Sequence, residues 1–268
     1  MKALQDKARE LLAGGAVQVV IGYGRGSAAA ARAVFVREAS AVDALVLDET
    51  CLQNLAVYLR KPEVRRLGKA ALVAIPAVLR TILQLAAENQ VSDGSLIALA
   101  VTPSGGEVVP LATLDAVEKH VAGLDFPRGA AEEAELRKFA EMGLQERRSF
   151  WEEQFSRCLK CYACRAACPL CYCERCTVEC NQPQWIPVPA HDLGNLEWNV
   201  MRAMHLAGRC VDCGDCSRAC PVGIPLQLLN RRLVDEVYER FAFRSGMAVH
   251  GENAMSTFKP DDPEDFIR

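Results

Sequence analysis

The sequence lacks an excess of charge of either sign. Its 268 residues include 31 Lys and Arg against 34 Asp and Glu, which gives a formal net charge of −3. A strongly basic nucleic-acid-binding protein is therefore excluded, and no nucleic-acid partner is expected. Half of the residues are apolar, so the chain has enough hydrophobic side chains to bury a core and is not disordered in bulk.

Long apolar runs are missing as well. The N-terminus, MKALQDKARE, is charged from its start and lacks the continuous apolar core of an export signal. The most apolar stretch, Ala70 to Leu83, is interrupted by Pro76 and Arg80 and falls short of the ~18 apolar residues that a transmembrane helix needs. We therefore expect a soluble, cytoplasmic protein, in which clustered cysteines are metal ligands or redox groups more often than disulfides.

Motifs of hydrolases and kinases are also absent. The sequence contains no G-x4-G-K-[ST] loop, no paired-carboxylate motif and no Ser-His-Asp arrangement. The glycine-rich segment from Gly22 to Ser27 lacks the full G-x-G-x-x-G spacing, so a plain glycine turn is favoured over a phosphate-binding loop. The four histidines are scattered outside any ligand pattern: His120, His191, His205 and His250.

Residues 1–126 alternate short apolar runs with helical patterns, which predicts an α/β domain with a mainly parallel sheet covered by helices. The predicted strands are Val17–Val20, Val34–Val36, Val42–Leu47, Ala71–Ile75 and Leu96–Val101. The predicted helices are Lys2–Leu12, Glu49–Leu59, Ala77–Asn89 and Leu114–Val121. Cys51 lies at a predicted strand-to-helix junction, as either a small buried hydrophobe or a thiolate stabilised by the helix dipole.

The remaining residues are expected to be mostly helical. Residues 127–157 are predicted to form one connecting helix with a shared face of Leu136, Phe139, Ala140, Gly143 and Leu144. An α-helical, ferredoxin-like domain follows over residues 158–241. It includes a helix Leu226–Phe241 and a helix that is capped by Asn195, ends at Gly208 and has an apolar face of Leu196, Val200, Ala203, Met204 and Ala207. Residues 242–268 have no period and are predicted to form a tail that docks on a partner or is disordered alone.

Cysteine is the outlier of the composition, because 12 of the 13 cysteines fall between Cys158 and Cys220. Two copies of C-x2-C-x2-C-x3-C-P occur there, CLKCYACRAACP and CVDCGDCSRACP, and this is the run by which bacterial ferredoxins bind 4Fe–4S clusters. In two-cluster ferredoxins the fourth cysteine of each run binds the other cluster. The first predicted ligand set is therefore Cys158, Cys161, Cys164 and Cys220, and the second is Cys210, Cys213, Cys216 and Cys168.

Structural zinc is the alternative for these eight thiolates, although zinc sites usually show two C-x2-C pairs. Four further cysteines follow the first copy directly: Cys171, Cys173, Cys176 and Cys180. Their C-x-C-x2-C-x3-C spacing does not identify a ligand, so a third 4Fe–4S cluster, a zinc ion and spare thiols all remain open. Four aromatic residues near the cysteines are expected to exclude water from the clusters: Tyr162, Tyr172, Trp185 and Trp198.

Two family resemblances rest on these segments. The region from Cys158 to Pro221, with a helix between the two copies, resembles the helical double-cluster modules of heterodisulfide reductase small subunits. Residues 48–91 and the run CYACRAACPLCYCERC resemble the beta subunits of deazaflavin-reducing hydrogenases and formate dehydrogenases. That family has a Lys-Gly-Cys-Asp segment where this sequence has Ala74-Ile75-Pro76-Ala77, and a large flavin-binding portion that this sequence lacks.

These resemblances imply an accessory redox subunit. We expect it to relay single electrons through 4Fe–4S clusters, without catalytic residues of its own. The implied partners are a flavoprotein, a formate dehydrogenase or a hydrogenase on one side and a heterodisulfide-reductase-like protein on the other. Two alternatives stay open: a flavoenzyme in which Gly22–Ser27 and the sheet edge hold a flavin, and a zinc-stabilised scaffold without a redox role.

Overall fold

The computed structural model describes residues 1–27, 30–102, 106–176, 178–180 and 182–251. These residues divide into two compact units. The N-terminal unit comprises residues 1–125 together with 245–251, and the C-terminal unit comprises residues 126–244. Within the described ranges, no helix has the length and apolar character needed to cross a membrane.

The N-terminal unit contains a five-stranded sheet with the strand order β2-β1-β3-β4-β5. Its strands are β1 (Val19–Gly24), β2 (Arg32–Val36), β3 (Ala70–Ala74), β4 (Leu96–Ala100) and β5 (Val109–Leu111). β1, β3 and β4 run parallel, whereas the edge strands β2 and β5 are antiparallel to their neighbours. The prediction of a sheet with helices is confirmed, but the sheet is mixed because both of its edges carry an antiparallel strand.

The three parallel strands are buried along their whole length, as their continuous apolar sequences VVIGYG, AALVA and LIALA require. Gly22 and Gly24 lie inside β1, where a Cβ would come within 2.5 Å of Leu45 Cδ2 and Val34 Cγ1, respectively. Close packing therefore requires glycine at both positions. Since the next described element is β2 and not a helix, these glycines form neither the predicted turn nor a phosphate-binding loop.

Three predicted helices of this unit are confirmed to within two residues. They are α1 (Lys2–Ala13), α3 (Pro76–Ala87) and α4 (Leu114–Ala122); a further short helix, α2 (Pro62–Arg65), lies between α1 and α3. Each confirmed helix carries apolar side chains at three- and four-residue spacing, which buries one face of an α-helix.

Two predictions for this unit are wrong. The segment 42–47 is not a strand, because a 3-10 helix at Ala39–Ala44 brings both Val42 and Leu45 into the core at a three-residue spacing. The segment 49–59 is not an α-helix either, since the Asp48 carboxylate accepts the Thr50 N–H at 2.8 Å in a local turn. Only a 3-10 helix at Leu55–Tyr58 forms there.

The segment 245–251 packs on helix α3. The guanidinium of the buried Arg80 donates from Nε and Nη2 to the carbonyl oxygen of Ser245 at 3.2 and 2.7 Å. The Gly246 N–H donates to Gln84 Oε1 at 3.0 Å. This part of the predicted tail is therefore ordered against the N-terminal unit, while residues 252–268, for which partner docking is predicted, lie outside the described residues.

The C-terminal unit is helical. Its helices are α5 (Ala130–Glu141), α6 (Leu144–Ser156), α7 (Ala163–Ala167), α8 (Asp192–Leu206), α9 (Asp215–Arg218) and α10 (Leu226–Phe241). The single connecting helix predicted for residues 127–157 is wrong, because the Glu146 carboxylate accepts the Gly143 N–H at 2.7 Å and caps a new helix. Leu144 of the predicted shared face is consequently 81% exposed.

Helix α10 has the predicted bounds, but the prediction for α8 is wrong in two respects. The cap of α8 is His191, whose Nδ1 accepts the Gly194 N–H at 3.4 Å. Val200 and Met204 of the predicted apolar face are exposed. The face of α8 that is buried instead carries mostly large polar or aromatic side chains: Asn195, Trp198, Asn199, Arg202, Ala203 and Leu206.

We expect Arg80→Ala to release the segment 245–251 from helix α3. The substitution removes two hydrogen bonds from a buried cation and leaves the Ser245 carbonyl without them, which costs about 2–3 kcal/mol of the free energy of unfolding. Urea denaturation measures this loss, and amide hydrogen exchange measures the faster exchange expected at Gly246. The control is Lys119→Ala, which removes only an exposed pair with Asp115 and should leave both quantities nearly unchanged. Equal effects of the two variants would contradict the assigned role of Arg80.

Candidate metal centre

The two cysteine runs fold into loops with the same sequence of backbone conformations. The backbone φ is positive at the second residue after the first cysteine, at Lys160 (47°) and Asp212 (59°). It is positive again at the residue before the short helix, at Tyr162 (59°) and Gly214 (79°). A left-handed conformation costs a non-glycine residue about 1–2 kcal/mol, and such conformations are concentrated at ligand-binding loops. The sequence duplication therefore extends to the backbone conformation of the loops.

Backbone N–H groups point at cysteine sulfur in both loops. The N–H of Lys160 lies 3.4 Å from Cys158 Sγ, and the N–H of Asp212 lies 3.4 Å from Cys210 Sγ. The N–H of Ile224 approaches Cys220 Sγ at the same distance. Such N–H···S contacts stabilise a thiolate and influence the reduction potential of any iron–sulfur cluster that it binds.

The four cysteines of the first predicted set line one small cavity of almost entirely apolar surface: Cys158, Cys161, Cys164 and Cys220. Cys220 is the last cysteine of the second run, and it thus faces three cysteines of the first run. Trp198 and Tyr162 also line this cavity, and their ring centroids lie 5.2 Å apart. Trp198 is buried, as expected for a residue that excludes water, whereas Trp185 is 59% exposed and does not fit that expectation.

Cys168, the last cysteine of the first run, lies among the cysteines of the second run. Its sulfur interacts electrostatically with those of Cys210, Cys213 and Cys216. The packing of α7 against α9 explains this exchange, because the fourth cysteine of each run follows its short helix closely and so lies towards the loop of the other run. The four cysteines of the first set thus line one cavity and Cys168 lies beside the second run, but within the described ranges neither set is drawn together closely enough to hold a single metal ion.

Burial raises the pKa of four of these eight thiols. It raises the pKa of Cys164 to about 11, and it also raises the pKa values of Cys210, Cys213 and Cys216, with neighbouring negative groups adding to the effect. The pKa of Cys168 is lowered instead, because the Cys171 thiol donates a hydrogen bond to its sulfur and Arg202 is nearby. Thiols with raised pKa values must lose protons to a strongly bound metal or cluster.

Helix α8 fixes the first loop through its polar face. The Asn195 side chain donates from Nδ2 to the carbonyl oxygens of Phe155 and Cys158, at 3.0 and 2.9 Å. Arg202 donates from Nη2 to the carbonyl oxygen of Cys164 at 3.0 Å. The sequence reasoning missed both residues, although their seven-residue spacing on a helix between the two motif copies is a signal that could have identified them.

The second loop, which belongs to the run from Cys210 to Cys220, is held mainly by hydrogen bonds between charged side chains. The carboxylate of Asp212 accepts from Arg231 Nε at 2.8 Å, from Arg128 Nε at 3.2 Å and from Gln227 Nε2 at 2.8 Å. Arg231 and Gln227 belong to α10, while Arg128 precedes α5. Because Arg231 is buried and also pairs with Glu132 at 2.5 Å, this network anchors a left-handed residue of the loop to two helices.

Several polar atoms around the cysteines are buried and have no hydrogen-bond partner within the described part of the chain. They include the donors Trp198 Nε1 and Arg202 Nε and the acceptors Asn195 Oδ1 and Asn230 Oδ1. A buried donor without an acceptor costs about 1–3 kcal/mol, and the sulfur atoms of an iron–sulfur cluster are acceptors. Together with ligand sets made only of thiols, which suit soft metal centres, these unpaired donors fit bound 4Fe–4S clusters.

The four additional cysteines are arranged differently. Cys173 and Cys180 are exposed, and Cys171 lies within hydrogen-bonding range of Cys168. Arg165 fixes the intervening backbone by donating to the Cys173 carbonyl oxygen at 2.9 Å. Across the described ranges, no three His, Cys, Asp or Glu side chains are arranged to hold a single metal ion.

The N-terminal unit offers less for redox chemistry. Cys51 is fully buried, and burial raises the pKa of its thiol, so it is the buried hydrophobe and not the stabilised thiolate. A cavity of about 310 Å³ opens near Lys69 and Ser95, at the amino ends of β3 and β4. Ligands of open α/β sheets bind at the opposite, carboxyl ends, and this cavity does not include any of the residues from Gly22 to Ser27.

We expect Gly214→Ala to destabilise the second loop by more than the cost of a left-handed alanine alone. An added Cβ would lie 2.6 Å from both Arg218 Nη1 and Gln227 Oε1, which displaces the side chain that binds Asp212. The matched control is Gly223→Ala, which also has a positive φ of 66° but no atom within 4 Å. Both variants should lose about 1–2 kcal/mol of the free energy of unfolding, with a further loss only for Gly214→Ala. Equal losses in urea denaturation would contradict this account of the loop.

Comparison with known proteins gives a partial match. No protein-family model matches the chain. The chain is 32% identical over 98 residues to the F420-dependent formate dehydrogenase subunit beta of Methanocaldococcus jannaschii, which is 36% of this chain and 25% of that relative. It is 29% identical over 97 residues to the F420-dependent formate dehydrogenase 1 subunit beta of Methanococcus maripaludis, which is 36% of this chain and 24% of the relative.

The match therefore spans about a quarter of the length of these curated relatives. F420 is a deazaflavin, so the relatives belong to one of the two families that the sequence motifs resemble. Over about a third of its length, the chain is similar to beta subunits of deazaflavin-linked formate dehydrogenases.

Proposed function

We propose that this chain is an electron-transfer subunit that holds two 4Fe–4S clusters in its C-terminal unit. The observation that supports this most strongly is the exchange of the fourth cysteines, which puts Cys220 in the cavity of the first run and Cys168 among the cysteines of the second. Bound 4Fe–4S clusters supply one-electron transfer without a bound substrate.

The chain's own residues have three tasks in this proposal. Cys158, Cys161, Cys164 and Cys220 hold the first cluster, and Cys210, Cys213, Cys216 and Cys168 hold the second. The left-handed loop residues aim backbone N–H groups at the ligand sulfur atoms. Trp198 and Tyr162 keep water out of the first cavity, which raises the cost of charging it and so contributes to the reduction potential.

The two sets adjoin each other at the third cysteine of each run. Cys164 and Cys216 are both buried, and their sulfur atoms interact electrostatically. We therefore place the passage of an electron between the sets at these two cysteines. Cys161 of the first set is exposed, and the neighbouring Leu159 is 64% exposed, so we place electron exchange with another protein at the first set.

The partners follow from the resemblances and the relatives. The relatives are named as subunits of formate dehydrogenases, and we propose that this chain also works within a multi-subunit cytoplasmic oxidoreductase. A flavoprotein, formate dehydrogenase or hydrogenase would exchange electrons on one side, and a heterodisulfide-reductase-like protein on the other. We leave Cys171, Cys173, Cys176 and Cys180 out of the relay because two of them are exposed and Cys171 lies against Cys168.

The exchange of the fourth cysteines can be tested with two single substitutions. We expect Cys220→Ser to remove or alter the cluster built on Cys158, Cys161 and Cys164, although Cys220 belongs to the other run. Cys168→Ser should affect the cluster of the second run in the same way. Paramagnetic resonance of the reduced protein distinguishes the two clusters, and iron analysis should fall from about eight to about four per chain wherever a cluster is lost.

The control for both variants is Cys51→Ala, which removes a buried cysteine outside the motifs and should leave about eight irons per chain. If Cys220→Ser instead abolished the resonance signal that Cys210→Ser abolishes, the ligand assignment would be wrong. If all variants and the wild type bound zinc without iron, the chain would be a zinc-stabilised scaffold and the electron-transfer proposal would fail.

A further inference from the structure

Arg202 is a buried cation without a carboxylate partner. It lies on α8 and is only 6% exposed. The described residues provide no ion pair for it, and its Nε has no hydrogen-bond partner among them. Burying a charge costs several kcal/mol unless other groups compensate it. Its retention in the interior therefore requires a source of negative charge close by.

The groups that face Arg202 are cysteines from both predicted ligand sets. Its guanidinium interacts electrostatically with Cys164 of the first set and with Cys168 and Cys216 of the second, and also with Cys171. Its Nη2 donates to the Cys164 carbonyl oxygen at 3.0 Å. Arg202 thus lies close to cysteines of both sets, and its Nε–H is buried without an acceptor among the described residues.

The charge of Arg202 is fixed over the whole physiological pH range, because a guanidinium does not lose its proton in proteins. Reduction of a 4Fe–4S cluster adds one negative charge. In an interior of low dielectric constant, a nearby positive charge stabilises the reduced form more than the oxidised form.

We propose that Arg202 is a positioning residue shared by the two clusters, whose guanidinium stabilises their negative charge and raises both reduction potentials. The inference rests on the proposed function, since it requires clusters at both sets. In this proposal one side chain of α8 couples the two cysteine motifs electrostatically, although 42 positions of sequence separate Cys168 from Cys210. Asn230 Nδ2, which lies 3.5 Å from Cys216 Sγ, serves only the second set.

The test compares three variants of the anaerobically purified full-length chain. Arg202→Met removes the charge at similar side-chain length, Arg202→Lys keeps the charge but removes the free Nε–H, and Arg148→Met removes an exposed arginine of α6 that pairs with Glu152. A redox titration followed by paramagnetic resonance gives the midpoint potential of each cluster, and iron and sulfide analysis gives the cluster content.

We expect Arg202→Met to weaken reduction of both clusters by at least tenfold in the equilibrium constant, which is a downward shift of about 59 mV for a one-electron couple. Arg202→Lys should restore most of this shift, and Arg148→Met should leave both potentials unchanged. If Arg202→Met cannot retain clusters, the comparison of Arg202→Lys with the wild type decides: full cluster content with near-wild-type potentials supports the role of the charge.

Three results would overturn the inference. Unchanged potentials in Arg202→Met at full iron content would reduce Arg202 to a structural hydrogen-bond donor, and a shift of one potential alone would mean that it is not shared. An Arg202→Lys chain with wild-type circular dichroism but no clusters would show that charge is not what the clusters require. A wild-type chain without iron and acid-labile sulfide would instead overturn the proposed function itself, so the two failures are distinguishable.

Discussion

The exchange of one cysteine between two short loops is the constraint on which the C-terminal unit depends. Each run ends in a helix of only four or five residues, too short to be stable alone, and the packing of α7 on α9 places each fourth cysteine beside the other run. Because Cys164 and Cys216 are also part of the hydrophobic core of this unit, with Phe155 and Trp198, the ligand sets and the core are the same region. In this account, loss of either ligand set also weakens the hydrophobic core of the unit.

The two units bury their polar groups in different surroundings. The N-terminal unit surrounds its sheet with apolar side chains, and its few buried polar groups, such as Asn54 and Thr81, bond to each other. The C-terminal unit buries the polar face of α8 against loop carbonyls and sulfur atoms. That arrangement is costly unless the loops carry acceptors for Trp198 Nε1 and Arg202 Nε. A protein that binds anionic clusters between its loops provides such acceptors, whereas a core without them does not.

Hydrophobic periodicity predicted those elements whose stability comes from an apolar face or a fully buried strand. Helices α1, α3, α4 and α10 and strands β3 and β4 belong to this class, and their bounds agree to within two residues. The motif spacing also predicted two cysteine sets; those of the first set line one cavity, while the ligand sets themselves and what they bind stay predictions. Residues 48–91 and the cysteine runs were sufficient for the resemblance to the formate dehydrogenase beta subunits.

The failures have a common physical origin in polar contacts. Glu146 caps α6 through the Gly143 N–H, and Asp48 closes a turn through Thr50, so that one hydrogen bond sets the start of a helix and another replaces a predicted helix by a turn. On α8 the apolar residues Val200 and Met204 are exposed because Asn195 and Arg202 bond to the cysteine loops. Periodicity carries no information on which loop carbonyl will face a helix, and it therefore assigned the wrong face.

The most direct test of this account is the iron and acid-labile sulfide content of the full-length chain after anaerobic purification, together with its paramagnetic resonance after reduction. The account predicts about eight irons and eight sulfides per chain and signals from two interacting 4Fe–4S clusters. Colourless protein without labile sulfide, with the thiols free or bound to zinc, would contradict it.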